Sequence, residues 1–323
     1  MHNALSCSII CLHSKVHNTY IMQPQEKYAT LLQICKENSL GIVNSAGNLP
    51  HGGRQPRCSD LELIALSLLQ ESLNMSSERY FFSYLSTSLP SLAMQVGTLR
   101  NYNIRRRRLS AYVEEVRLRV VKHLNAYFGN EILVVDSMPL PSCMLSRSKR
   151  CRIFAEEEKA SPDIGFCAAQ QMYYFGHKLH CVCSAAGIIQ AYDLSKASVH
   201  DIHYLHDIVA LFANCVLIGD KGYHDKQRRM ELFEFFGIEL ATPCRKNELL
   251  QYTMPEDYMR IRKRIEVIFS QLVDQLSIRK NYAKSQSGLF TRVIAKVTLF
   301  TFLQYINMKE ERELNRIRYS LAA

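Results

Sequence analysis

Apolar and polar residues follow a helical period through the first third of the chain. Residues 25–40, QEKYATLLQICKENSL, carry apolar side chains three and four positions apart and end near Gly41, which predicts a helix. NSAGNLPHGGRQPR, residues 44–57, is rich in Gly, Asn, Pro and Arg and reads as a linker. SDLELIALSLLQESL then opens on a Ser or Asp cap and continues as an amphipathic helix. Further helical pieces are expected over about 76–88 and 91–128, the second interrupted by NIRRRRLS at 103–110.

The period changes at residue 131. In EILVVDSMP, four consecutive apolar residues, Ile132 to Val135, end at Asp136 and a proline-containing turn. That suits a strand buried on both faces. Residues 171–198, QMYYFGHKLHCVCSAAGIIQAYDLSKAS, predict two strands around the turn SAAG, followed by a helix over 201–212. CVLIGDKGY is a second short apolar strand, ending at Asp220. A helix in MELFEFFG, a strand in IELATP, a basic loop CRKNE and the helix carrying RIRKRIEVIFSQL come next. KVTLFTFLQYIN, residues 296–307, predicts a buried closing helix. The pattern therefore gives an α/β chain preceded by a mostly α-helical region. Residues 1–21 read as a poorly ordered tail, 22–128 as the helical domain, 129–310 as the α/β domain and 311–323 as a C-terminal tail.

Composition narrows the partners. The chain has 323 residues, 47% of them hydrophobic, and 40 basic against 30 acidic residues leave a net charge of +10. An excess of that sign suits a polyanion, although it does not specify a fold. Eleven scattered cysteines do not make a small disulfide scaffold and read as reduced thiols of a cytosolic protein. The first twenty residues lack the basic start and long apolar stretch of a secretory signal. No uninterrupted apolar run approaches the length of a membrane span, so no membrane partner is expected.

The candidate chemistry lies in three carboxylates. Two strands end alike, VVD at 134–136 and IGD at 218–220. An aspartate at a strand end usually caps a turn. Two on neighbouring strands would repel each other and invite a cation. Glu266 sits in a basic helix beside the stripe Ile261, Ile265, Ile268, Phe269, Leu272 and Leu276. Its ordinary role is an ion pair with Arg262, four residues earlier, worth about 0.2–0.5 kcal/mol on an exposed face. Its sharper role is to complete an oxygen site for Mg²⁺, where two ions serve phosphoryl transfer.

The order Asp136, Asp220, Glu266 resembles the DDE triad of bacterial insertion-sequence transposases with a ribonuclease H-like core. The blocks VVDSMPLPSC, GFCAAQQMYYFGHKLH, SVHD, LIGDKGYHDK, ATPCRKNE, RKRIEVIFSQL and AKSQSGLFTRVIAKV resemble the nine-eighty-two family of insertion sequences in particular. SDLELIALSLLQE and NYNIRRRRL extend the likeness, which covers roughly residues 57–307. The resemblance implies a ribonuclease H-like mixed sheet flanked by helices, with Asp136, Asp220 and Glu266 as catalytic metal-binding residues. It implies two Mg²⁺ ions, for which Mn²⁺ substitutes. Water would cut a phosphodiester at the element's end, and the freed 3′-OH would attack target DNA. The partners implied are the terminal inverted repeats, target DNA, and a second copy of the chain in a dimer or larger assembly on the bacterial nucleoid. Some related transposases carry a basic residue two helical turns after the glutamate; here position 273 is Val.

Basic residues expected to meet phosphates are Arg105, Arg106, Arg107, Arg108, Lys178, Lys221, Arg245, Lys246, Arg262, Lys263 and Arg264. HKLHCVC at 177–183 invites zinc, but strand alternation sends His180 to the face opposite His177, Cys181 and Cys183, so ordinary strand residues are the better reading. SVHDIHYLHD reads as a helix start capped near Asp201 with exposed or half-buried histidines, a better reading than one that puts His200 near the site. Two other functions stay open: a metal nuclease of the same fold without strand joining, and a DNA-binding remnant that catalyses nothing.

Overall fold

Caps and buried stripes coincide in the first third of the chain, which is why it is helical. The computed structural model describes residues 22–154, 160–244 and 253–321. Helices α1 (Pro24–Glu37), α2 (Asp60–Ser72), α3 (Glu78–Ser88), α4 (Pro90–Val96), α5 (Leu99–Arg108) and α6 (Ser110–Phe128) precede the sheet. At the start of α2, Ser59 Oγ accepts the Glu62 N–H at 3.2 Å and Glu62 accepts the Ser59 N–H at 2.6 Å. This reciprocal cap satisfies two backbone donors that a helix start otherwise leaves unpaired.

The interruption expected within 103–110 falls at Leu109, while the four arginines before it lie inside α5. Thr98 caps α5 by accepting the Asn101 N–H, and Tyr102 and Arg106 form its buried side. A charged residue can line that side because Arg106 meets Glu71 of α2 at 2.7 Å. Glu71 also meets Lys296 at 2.6 Å, and both partners are almost fully buried. Burial pushes the Glu71 carboxyl up, but Lys296 and Arg106 pull harder and hold it below its ordinary value.

Lys296 belongs to α10 (Gln286–Lys309), which starts ten residues earlier than its apolar run suggested. This helix is long and apolar enough to cross a membrane, yet it is buried within the protein against α2, α5 and α6. One continuous core runs from Leu31 through α2, α6 and α10 to the near face of the sheet.

The mixed sheet holds β1 (Ile132–Cys143), β2 (Asp163–Cys167), β3 (Met172–Ser184), β4 (Ile189–Lys196), β5 (Val216–Ile218) and β6 (Glu239–Ala241). Its path is β2-β3-β1-β5-β6, with β4 also on β3. The partners β1–β3, β2–β3 and β3–β4 are antiparallel; β1–β5 and β5–β6 are parallel. β1 does not end in a turn after Asp136, as expected, but continues seven residues along β3. β5 pairs only as far as Val134, so Pro139 and Pro141 lie where one edge of β1 is open, a position that tolerates a missing N–H. The short strand β2, unanticipated from sequence, pairs with Met172–Gly176. The helix expected over 201–212 is a single 3-10 turn, Asp201–Tyr204, and a four-residue helix α7 (Leu205–Ile208). Beyond it the backbone turns tightly, Ala210 N–H to Asp207, Leu211 and Phe212 N–H both to Ile208, and no further helical residues follow before β5. Helices α8 (Lys226–Phe236) and α9 (Glu256–Asp274) complete the layers, α9 resting on β1 through Ile265, Ile268 and Leu272.

Glu71→Ala strands two buried cations, so the variant should lose about 3–5 kcal/mol of stability in urea unfolding at pH 7. Because the folded carboxyl sits below its unfolded value, its contribution is present above about pH 4.3 and lost as the pH falls through the folded pKa. The gap between the parent and Glu71→Ala should therefore narrow in acid.

Candidate active site

The β1–β5 register positions two acids together. Val134 pairs with Ile218, the last residue of β5; Asp136 lies two residues further along β1, and Asp220 two residues beyond β5 with its backbone still extended. Asp220 stands near enough for its charge to act on Asp136. Asp136 Oδ1 accepts the Ser137 N–H at 2.7 Å, and Asp220 Oδ1 accepts the Gly222 N–H at 2.8 Å.

A third acid joins them, one that the sequence reading took for a helix start. Asp201 Oδ1 accepts from Ser137 Oγ at 2.8 Å and from Lys178 Nζ at 2.9 Å. A Cβ on Gly222 would lie 2.9 Å from Asp220 Oδ1 and 3.5 Å from Asp201 Oδ2, so the glycine keeps clear the space both carboxylates face. The signal available in the sequence was the block SVHD, whose aspartate follows β4 by a few residues.

Burial pushes the Asp136 carboxyl up to about 7, with Asp220 and Asp201 adding repulsion; the Ser137 N–H and the Arg262 guanidinium oppose the rise. Asp220 is raised by burial first and by Asp201, against the Gly222 and Tyr223 N–H groups and Arg262. Arg262 therefore acts on both aspartates, and it also pairs with Glu266 at 3.4 Å. The Glu266 side chain is 54% exposed on the outer side of α9. The structure brings Asp136 and Asp220 together and links Glu266 to them through Arg262.

The donors suit a hard divalent cation: oxygen only, two acids raised by burial and by neighbouring carboxylates, and a space that a glycine keeps clear. Such an ion is commonly held by one or two carboxylates and completes its shell with water and substrate phosphate. Among the described residues, no three His, Cys, Asp or Glu side chains stand together as a ready-made metal cage. The HKLHCVC segment is no exception. His177 Nε2 is 2.9 Å from the Ala160 carbonyl, His180 Nε2 is 2.8 Å from Ser195 Oγ, and Cys181 and Cys183 lie in the core with thiol pKa values raised by burial.

The basic residues divide. Arg105 donates to Asp60 and to the Cys58 carbonyl, and Arg106 is buried on Glu71, so both hold the helices together instead of facing phosphates. Arg107 and Arg108 are exposed, as are Lys221, Lys263 and Arg264. Lys178 is largely buried on Asp201 and the Val199 carbonyl, inside the site instead of out on the surface. Arg245 and Lys246 lie outside the described residues. His200 caps the turn that carries Asp201 by accepting the Ile202 N–H.

Residues 127–302 match the family model of the transposase DDE domain. The chain belongs to that family. The match covers the whole sheet, α7 to α9 and most of α10, with all three of Asp136, Asp220 and Glu266 inside it. No curated protein and no solved structure matched the chain. Membership makes it a transposase of DDE type, a DNA-binding enzyme of DNA transposition from a mobile element, in a family that generally depends on divalent metal.

Because the folded Asp136 pKa lies above its unfolded value, the proton favours the folded chain. Stability is fully present below about pH 4 and falls as the pH climbs through about 7. Asp136→Asn should therefore melt with the parent near pH 4 and be about 2–4 kcal/mol more stable at pH 8 without added metal. Mg²⁺ should raise the parent's melting temperature at pH 8 and leave that of Asp136→Asn nearly unmoved.

Proposed function

We propose that this transposase cuts DNA at the inverted-repeat ends of an insertion sequence of the nine-eighty-two type and joins the freed 3′-OH ends to target DNA, using Mg²⁺. The observation that carries the reading is the pair Asp136 and Asp220, each two residues past the Val134–Ile218 pair where the parallel pairing of β1 and β5 stops, in a chain of this family. The strand order β4-β3-β1-β5-β6, with only the last two parallel to β1, is consistent with a ribonuclease H-like core.

Asp136, Asp220 and, from α9, Glu266 would hold the cations. When bound, these ions activate the attacking oxygen and neutralise the leaving one. The residues themselves supply position: Ser137 and Gly222 N–H groups orient the two aspartates, and Arg262 reaches both of them and Glu266. The exposed Arg107, Arg108, Lys221, Lys263 and Arg264 are cations for the DNA backbone, which makes binding fall steeply with salt. No covalent protein intermediate is called for. The helical residues 22–128 would read the repeats, and pairing two ends calls for a dimer or larger assembly in the cytoplasm, on nucleoid DNA. A strictly monomeric complex during strand transfer would overturn that assembly.

The test uses a linear fragment carrying this gene and its native flanks, incubated with protein and Mg²⁺ or Mn²⁺, with new 3′-OH ends mapped at nucleotide resolution. Paired cuts at inverted repeats and joined products, both lost in Asp136→Asn and Glu266→Gln, are expected. Scattered cuts without joining would assign a nuclease instead. Identical fragments with parent and variants would leave DNA binding as the only activity. Persistence of cutting in Glu266→Gln alone would remove the glutamate from the catalytic set.

A further inference from the structure

A chain of hydrogen bonds connects Asp201 to the first aspartate. Ser137 Oγ donates to Asp201 Oδ1 at 2.8 Å, while the N–H of the same residue donates to Asp136 Oδ1 at 2.7 Å. Ser137 is thus gripped from one side by Asp201 and orients Asp136 on the other. Lys178 Nζ fixes the grip: it donates to Asp201 Oδ1 and to the Val199 carbonyl, both at 2.9 Å, tying the start of the 3-10 turn to β3.

The surroundings keep this device rigid. His180, 2% exposed, stacks on Tyr204 with ring centroids 4.7 Å apart. Its Nδ1 has no hydrogen-bond partner and stands 4.0 Å from Asp201 Oδ1. Burial lowers the His180 pKa to about 4, so the ring is a neutral wall at pH 7 and Lys178 is the cation that answers Asp201. With Oδ1 committed to Ser137 and Lys178, Asp201 has little rotational freedom left.

We propose that Asp201 is a positioning residue of the divalent-cation site, acting on Asp136 through Ser137 and held in place by Lys178. The inference rests on the reading of Asp136 as a cation-holding residue and adds the means by which its carboxylate is aimed. Carboxylates that hold metals are themselves held by hydrogen bonds, and loss of such a partner typically weakens metal binding about 10–100-fold.

The measurement is Mn²⁺ affinity of the full-length chain without DNA, from the electron paramagnetic resonance signal of free Mn²⁺. Circular dichroism melts of each variant run in parallel. Ser137→Ala keeps both the Asp201 and Lys178 charges, so it cuts the link with little risk to folding. Affinity should fall about 10–100-fold in Ser137→Ala and Asp201→Ala and return in Ser137→Thr, which restores the hydroxyl on a strand-compatible side chain. A merely structural role would lower melting temperatures without this pattern of loss and rescue. Asp136→Asn is the control for the underlying reading. If it loses Mn²⁺ while Ser137→Ala and Asp201→Ala bind as the parent does, the positioning role is overturned and the cation site stands. If Asp136→Asn binds Mn²⁺ like the parent, the cation site itself is wrong and the positioning role falls with it.

Discussion

Three residues of parallel pairing, Ile132–Val134 with Val216–Ile218, set the height of the whole site. Strand side chains alternate faces, so a slip of one residue would turn Asp136 or Asp220 to the opposite face of the sheet. The hydrophobic residues on both strands resist that slip. Leu133 and Leu217 serve the core under α7 and α8, whereas Val134 and Ile218 serve the core shared with α9 and α10. Each slip would exchange partners in two cores at once. Register is thus fixed by apolar packing, and the acids inherit their geometry from it.

The arrangement has an energetic cost that the rest of the fold carries. Two partly buried carboxylates, both raised by burial and by the nearby Asp201 charge, oppose folding at neutral pH. Arg262 offsets part of that opposition. Strain of this kind at a working site is ordinary, because groups poised for a ligand are seldom those that stabilise the chain best. The counterweight lies elsewhere, in the apolar core and in the buried pairing of Glu71 with Arg106 and Lys296.

Much of this was legible in the sequence. Apolar runs ending in aspartate located β1 and β5, and a helical stripe located α9, because burial imposes a period that composition records. What could not be read was which polar residues meet across long separations. Arg106 looked like part of an exposed basic cluster, since nothing nearby in sequence reveals Glu71, 35 residues away. Asp201 looked like a helix cap because Ser137 and Lys178 approach it from other strands. The continuation of β1 past Asp136 was hidden by its prolines, which argue against a strand unless one edge is known to be open.

Helix α10 has the composition of a membrane span and spends it on a protein interior. During synthesis such a segment would be a hazard if it emerged before its partners, because an apolar helix with no surface to cover it aggregates or finds a bilayer. Here the chain order removes the hazard. α2, α5, α6 and the sheet all precede α10 in the chain, so the elements that cover most of it are synthesised before it. The most lipid-like of the described helices is thus translated after the elements that cover most of it.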